Sequence, residues 1–278
     1  MMLFPKRSAD LLSRLTPYLV ATPNNLRHLD RNPFGIRISD EMVINPLCVS
    51  SEPFLAALER LDALTFGPEG MPMPRWVFYD CSELPGAIFG LGVAAQDVPI
   101  SVREVYRISD HYKGLLPFSM YIAIPMFRRG DWFGHNLCSI SPTLPDLGLG
   151  GLGSVTKALA LKCFRVQHFF GATQWDSTAL FIHTKFGALD LMTAFTPAHS
   201  EEKTLTYHFP VTDERLASAM DTTKTDAGRS VADFYIHIDD TPAIVDLQDQ
   251  IEAGFQFRIP GPPEPDSNGG LRVPIVRL

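Results

Sequence analysis

Four glycines fall between positions 148 and 153 of Gly148-Leu149-Gly150-Gly151-Leu152-Gly153-Ser154, after a strand-like run (135–143) and before a helical one (155–164). A backbone without Cβ atoms can close its N–H groups around an anion at the positive end of the following helix, and phosphate is the natural guest. The alternative is a turn whose glycines only let a strand and a helix pack closely. Two phosphate-binding patterns fit the letters. Gly148-x-Gly150-x-x-Gly153 spells a dinucleotide fingerprint, with Asp176 near the place of a ribose-binding acid, and would serve an NAD(P)-dependent oxidoreductase. Against it, Pro142 and Pro145 stand between strand and loop, and only one more helical segment of clear type follows. Gly151-x-Gly153-Ser154, after Ser141-Pro142, fits a pyrophosphate loop of a second kind.

Composition narrows the partners. The chain has 278 residues, 45% of them hydrophobic, enough for a sizeable core. A net charge of −7 argues against a nucleic acid or an anionic membrane surface as partner, so an anionic ligand must be held by local groups. Cys48, Cys81, Cys138 and Cys163 are widely spaced without a CxxC, which indicates neither a disulfide framework nor a zinc site and suits buried thiols in a reducing cytoplasm. Asp10 and Arg14 interrupt any apolar leader, and no membrane-length apolar run occurs. A cytoplasmic protein without metal is expected.

The elements that must position the loop follow from periodicity and punctuation. Leu11, Leu12, Leu15 and Leu19 predict an amphipathic helix over 8–19. A strand is expected over 35–44, and Ser51-Glu52-Pro53 opens a helix running to about Leu64. Residues 76–80 read as a strand that turns at 82–85 and returns over 86–92. A second hairpin joins 118–126 to 132–140 through Arg128-Arg129-Gly130-Asp131. After the glycine loop and its helix come a strand (169–174), a helix (178–186) capped by Ser177 and ended by Gly187, and a strand pair (189–196 and 204–209). Beyond 212 a short helix, a strand at 232–238, a helix near 242–253 and a Pro- and Gly-rich tail (260–270) are expected.

In this order the local motifs resemble the GNAT superfamily of acyl-CoA N-acyltransferases. Phe78 to Gly90 resembles the family's second and third strands meeting at a polar turn. Ser139-Ile140-Ser141-Pro142 resembles its splayed fourth strand ending in "V-x-P". Asp176-x-x-Ala179-x-x-x-His183-x-x-x-Gly187 resembles its helix motif "N-x-x-A-x-x-x-Y-x-x-x-G-F". Gly148 stands where the family carries Arg or Gln, three or four extra residues separate Pro142 from the glycines, and Asp176 and His183 replace Asn and Tyr. The resemblance implies an α/β (α+β) fold, a mixed, largely antiparallel twisted sheet flanked by helices. It spans 36–210, with an N-terminal helical extension (1–35) and a C-terminal extension (211–278).

The resemblance further implies a coenzyme A thioester, acetyl-CoA or longer, as cosubstrate, with an acyl carrier protein as the other donor it admits. Gly148, Gly150, Gly151, Leu152, Gly153, Ser154 and Val155 would bind the pyrophosphate, and the widened strand through Ser139 and Ile140 would pair with pantetheine. A small amine would attack the thioester directly, so the protein must take a proton from the nucleophile and return one to the thiolate. His183, at the family's Tyr position, is the candidate acid; the alternative is a buried histidine tied to a backbone carbonyl. His135 is the candidate base, or else a partly exposed strand histidine. Asp176 reads first as a helix-start residue beside the pocket, and His199 is a further pocket candidate. Cys138 has no visible His and acid partners for a nucleophile. A GNAT-like lyase, decarboxylase or binding protein would keep the fold without the transfer. The apolar strands and C-terminal extension are compatible with a homodimer.

Overall fold

The computed structural model describes residues 5–70, 72–83, 86–193, 203–221, 231–267 and 269–278, and its contacts divide the chain into two units that adjoin in sequence at Val166 and Gln167. The first contains α1 (Lys6–Arg14), β1 (Thr16–Val20), α2 (Pro23–Leu26), β2 (Val43–Ile44), α3 (Glu52–Phe66), α4 (Trp76–Glu83), β3 (Ala87–Ala94), α5 (Ile100–Tyr106), β4 (Leu115–Pro125), β5 (Asp131–Ser139) and α6 (Leu152–Cys163). Its strands lie in the order β2-β1-β3-β4-β5, antiparallel throughout except for β1 with β2.

Helices cover both faces of this sheet. Ser119 Oγ lies 2.6 Å from Thr156 Oγ1, which puts Ser119 on the α6 face. The next residue, Met120, is paired with Cys138, whose thiol points to Asp62 of α3 on the other face. Two-sided cover explains why β3 and β4 are buried almost without interruption and read as apolar runs rather than alternating ones. Gly90 is required by close approach: Tyr18 of β1 crosses it where a Cβ would sit, and its hydroxyl donates to the Ser119 carbonyl at 2.8 Å.

The second unit contains β6 (His168–Gln174), α7 (Ala179–His183), β7 (Leu189–Met192), β8 (Thr204–Pro210), α8 (Asp213–Met220), β9 (Phe234–His237), α9 (Thr241–Glu252), β10 (Phe257–Ile259), β11 (Glu264–Pro265) and β12 (Leu271–Arg277). Its strands run β6-β8-β7-β10-β12, with β9 and β11 also on β12, and neighbours in this order are antiparallel. Both units therefore have the mixed α/β character expected, with largely antiparallel sheets.

Three sequence expectations are corrected. The helix over 8–19 ends at Arg14, because Leu15 is extended and residues 16–20 join β3 as a strand. The first 35 residues thus carry a sheet strand as well as a helix. The strand over 35–44 shrinks to Val43–Ile44, since Pro33–Gly35 and Asp40–Met42 form 3-10 turns. Residues 76–80 are helical: Val77, Phe78, Cys81 and Ser82 are buried with the spacing of one helix face, and the Val77 N–H donates to the Pro74 carbonyl. Ala87–Ala94 consequently pairs with β1 and β4 rather than in a hairpin with 76–80.

Lys157 lies fully buried within α6, its ammonium 5.9 Å above the Tyr121 ring, and burial pushes its pKa well down. The unfolded chain therefore binds this proton more tightly than the native one, a cost to folding that fades as pH rises towards the unfolded value of about 10.4. Lys157→Met keeps the aliphatic length without the amine. It is expected to raise stability at pH 7 by about 1 kcal/mol or more, with the gain shrinking at pH 9 to 10 in urea titrations; a destabilised variant at neutral pH would contradict this account.

Candidate active site

The site is built where β5 runs out into the glycine loop. Opposite β4, Ile122 pairs with Asn136 and Ala123 with Gly134, so His135 is the extra residue of a β-bulge. A bulge turns its side chain out of the regular pleat, and His135 is exposed. After the bulge, Asn136 and Cys138 face α3. There Asp62, 1% exposed, accepts from the Met73 N–H at 2.6 Å, from Asn136 Nδ2 at 3.2 Å and from the Cys138 thiol at 3.7 Å. Burial holds the Asp62 carboxyl above its usual range. Burial first, and then Asp62, push the Cys138 thiol far up, so Cys138 stays protonated and unsuited to nucleophilic attack.

Past Ser139 the chain is held by local bonds. The Ile140 N–H donates to the Phe118 carbonyl at 2.9 Å, and Ser141 Oγ lies 2.8 Å from Ser139 Oγ and donates to the Leu149 carbonyl at 3.0 Å. A 3-10 turn, Pro145–Leu147, leads into Gly148 at φ +63°, and Gly151 at φ +88° takes the N-cap position of α6. Those two left-handed positions are where glycine is needed. Gly153, by contrast, lies inside the first helical turn. The Leu152 N–H donates to the Leu149 carbonyl and the Val155 N–H to the Gly151 carbonyl, both at 3.1 Å. Among the described residues no backbone acceptor stands opposite the N–H of Gly153 or Ser154, although both residues are buried. These are two of the unmatched donors of a helix start, aimed where an anion would sit.

The remaining candidates lie elsewhere. Asp176 is exposed in the turn after β6. His183, in the second unit, is 7% exposed and packs its ring 5.2 Å from that of Tyr207. His199 falls outside the described residues. The dinucleotide reading of the loop is not favoured: a looped segment separates β5 from α6, whereas that fingerprint turns directly off its strand into the helix. Sequence reasoning missed Asp62 and Lys157. The signal for Asp62 was present, an acid beside Leu58 and Leu61 on the buried face of α3. Among the described residues no group of three or more His, Cys, Asp or Glu side chains could hold a metal ion.

No protein-family model matches the chain, and no curated protein matches it in sequence. Solved structures do resemble it. A chain of the NatC complex bound to Gag peptide and CoA matches at a TM-score of 0.40 and 12% identity, over 60% of this chain and 97% of that one. The ribosomal-protein-S18-alanine N-acetyltransferase from Escherichia coli matches at a TM-score of 0.37 and 11% identity, over 60% and 92%.

The Asp62 cluster fixes β5 behind the bulge. Asp62→Ala would leave the Met73 N–H and the Asn136 amide facing an apolar gap, at about 1–3 kcal/mol of stability. A melting temperature lowered by several degrees is the expected reading; an unchanged one would show that the cluster does not hold the strand.

Proposed function

We propose that this protein is an acyltransferase that moves an acyl group from a coenzyme A thioester to a small amine. The observation that carries the reading is the start of α6: a glycine-built turn, reached through the loop that follows the strand bearing the bulged His135, leaves two buried residues whose N–H groups have no backbone acceptor among the described residues. The Gly153 and Ser154 N–H groups would hold the diphosphate, and the end of β5 at Ser139 and Ile140 would lie along the pantetheine arm. His135 would take the proton released as the amine nitrogen bonds to the acyl carbon; the carbon–sulfur bond breaks and the thiolate leaves with a proton from solvent. The exposed position of His135 suits an exchange of that proton with water. The same position leaves the amine's identity open to the size of group that can approach the bulge.

His183 receives a different role. Its burial against Tyr207 supports a packing function in the second unit, so His183→Ala should lower stability by about 1–3 kcal/mol with little change in turnover per folded molecule. His135→Ala, at an exposed site, should leave the melting temperature unchanged and lower kcat by roughly 10²–10⁴-fold with acetyl-CoA and an amine panel. Acetylated product followed by mass spectrometry, with both variants' melting curves alongside, checks the assignment. A fully active His135→Ala protein, or a stable but inactive His183→Ala protein, would reverse the two roles. Absence of product from wild type over a broad amine panel would favour a binding protein or a lyase.

A further inference from the structure

Gly148 stands where the resembled loop carries Arg or Gln, and the loop from Gly148 to Ser154 contains no cationic residue of its own. The structure brings cations from outside it. In α1, Arg7, Leu11 and Arg14 are spaced by four and three residues and so share one helix face. Leu11, 1% exposed, anchors that face, and the two arginines reach the loop. Arg14 Nη2 donates to the Leu147 carbonyl at 2.8 Å, immediately before Gly148. Arg7 lies against Gly150: a Cβ built there would stand 2.5 Å from Arg7 Nη2. Gly150 has an ordinary backbone conformation, so the space that its missing side chain opens is taken by the guanidinium rather than by a strained turn. Among the described residues Arg7 makes no ion pair; Asp10 on its own helix and Asp146 in the loop, the acids nearest in sequence, are exposed and unpaired with it.

We infer that Arg7 supplies the phosphate-binding cation that the loop's own sequence lacks, contacting the diphosphate of coenzyme A beside the Gly153 and Ser154 N–H groups. Arg14 acts one step removed, as a positioning residue that holds the entry of the loop through Leu147. The inference rests on the acyl-CoA reading and adds a residue to it. A guanidinium suits the task because its planar fork can meet two phosphate oxygens at once, in a protein whose net charge of −7 offers no general attraction for an anion. The N-terminal helix thereby becomes part of the ligand site.

Calorimetric titration of wild type, Arg7→Lys and Arg7→Glu with coenzyme A and with 3′-dephospho-coenzyme A tests this. Arg7→Glu should bind both ligands about tenfold or more weakly, by equal factors, with an unchanged melting temperature, and Arg7→Lys should retain most of the affinity. The Arg7→Glu affinity should also depend less steeply on salt, since one ligand–cation contact is gone. Wild-type affinity in Arg7→Glu would overturn the assignment while leaving the acyl-CoA reading intact, and a loss confined to coenzyme A would overturn the diphosphate contact. A wild-type protein that binds neither ligand would instead sink the acyl-CoA reading and this inference with it.

Discussion

The start of α6 sets the constraint on which the rest of the first unit depends. Eleven of the twelve residues of this helix are buried, including the whole first turn apart from its cap. A helix start always leaves N–H groups without intrahelical partners, and burial removes the water that would otherwise satisfy them. Side-chain capping is absent here, because the cap is Gly151. The loop answers part of the need with the Leu149 and Gly151 carbonyls, and the Gly153 and Ser154 N–H groups are left without a backbone acceptor among the described residues. The glycines, the pinned Ser141 and the two arginines of α1, Arg7 and Arg14, all lie on the loop that leads into this helix start.

The strand in front of the loop is held as tightly. Tyr18 locks β1 across Gly90 to β4, the Asp62 cluster ties β5 to α3, and Trp132 stacks on Phe164 at 5.5 Å to join the start of β5 to the end of α6. Such bracing is what lets a bulge present His135 in a fixed direction instead of relaxing into a regular ladder. Lys157 and Asp62, two of the buried ionisable groups, have pKa values moved by desolvation towards their neutral forms.

Much of this was legible in the letters, and the gaps have physical causes. The β4–β5 hairpin was signalled by its Arg-Gly-Asp turn, and Gly130 does take a positive φ. The glycine loop and its helix were plain because glycine clusters report a backbone requirement that no other residue meets. The Trp76–Asp80 run failed because a five-residue stretch with four apolar and aromatic side chains fits one helix turn and a half as well as a strand, and tertiary packing decided for the helix. The bulge at His135 depends on register against β4, which no local pattern in β5 encodes. Arg7 and Arg14 read as ordinary charges in the sequence; their contacts with the glycine loop emerge only when α1 is laid on a loop more than a hundred residues away in sequence.

Amide hydrogen exchange with and without coenzyme A tests the central claim most directly, because it reports on the N–H groups themselves. The account predicts slowed exchange on ligand addition at Gly153 and Ser154, with smaller protection along Leu137–Ile140 and at the Arg7 face of α1. Protection confined to other segments, with exchange at Gly153 and Ser154 unchanged in the presence of saturating ligand, would contradict it.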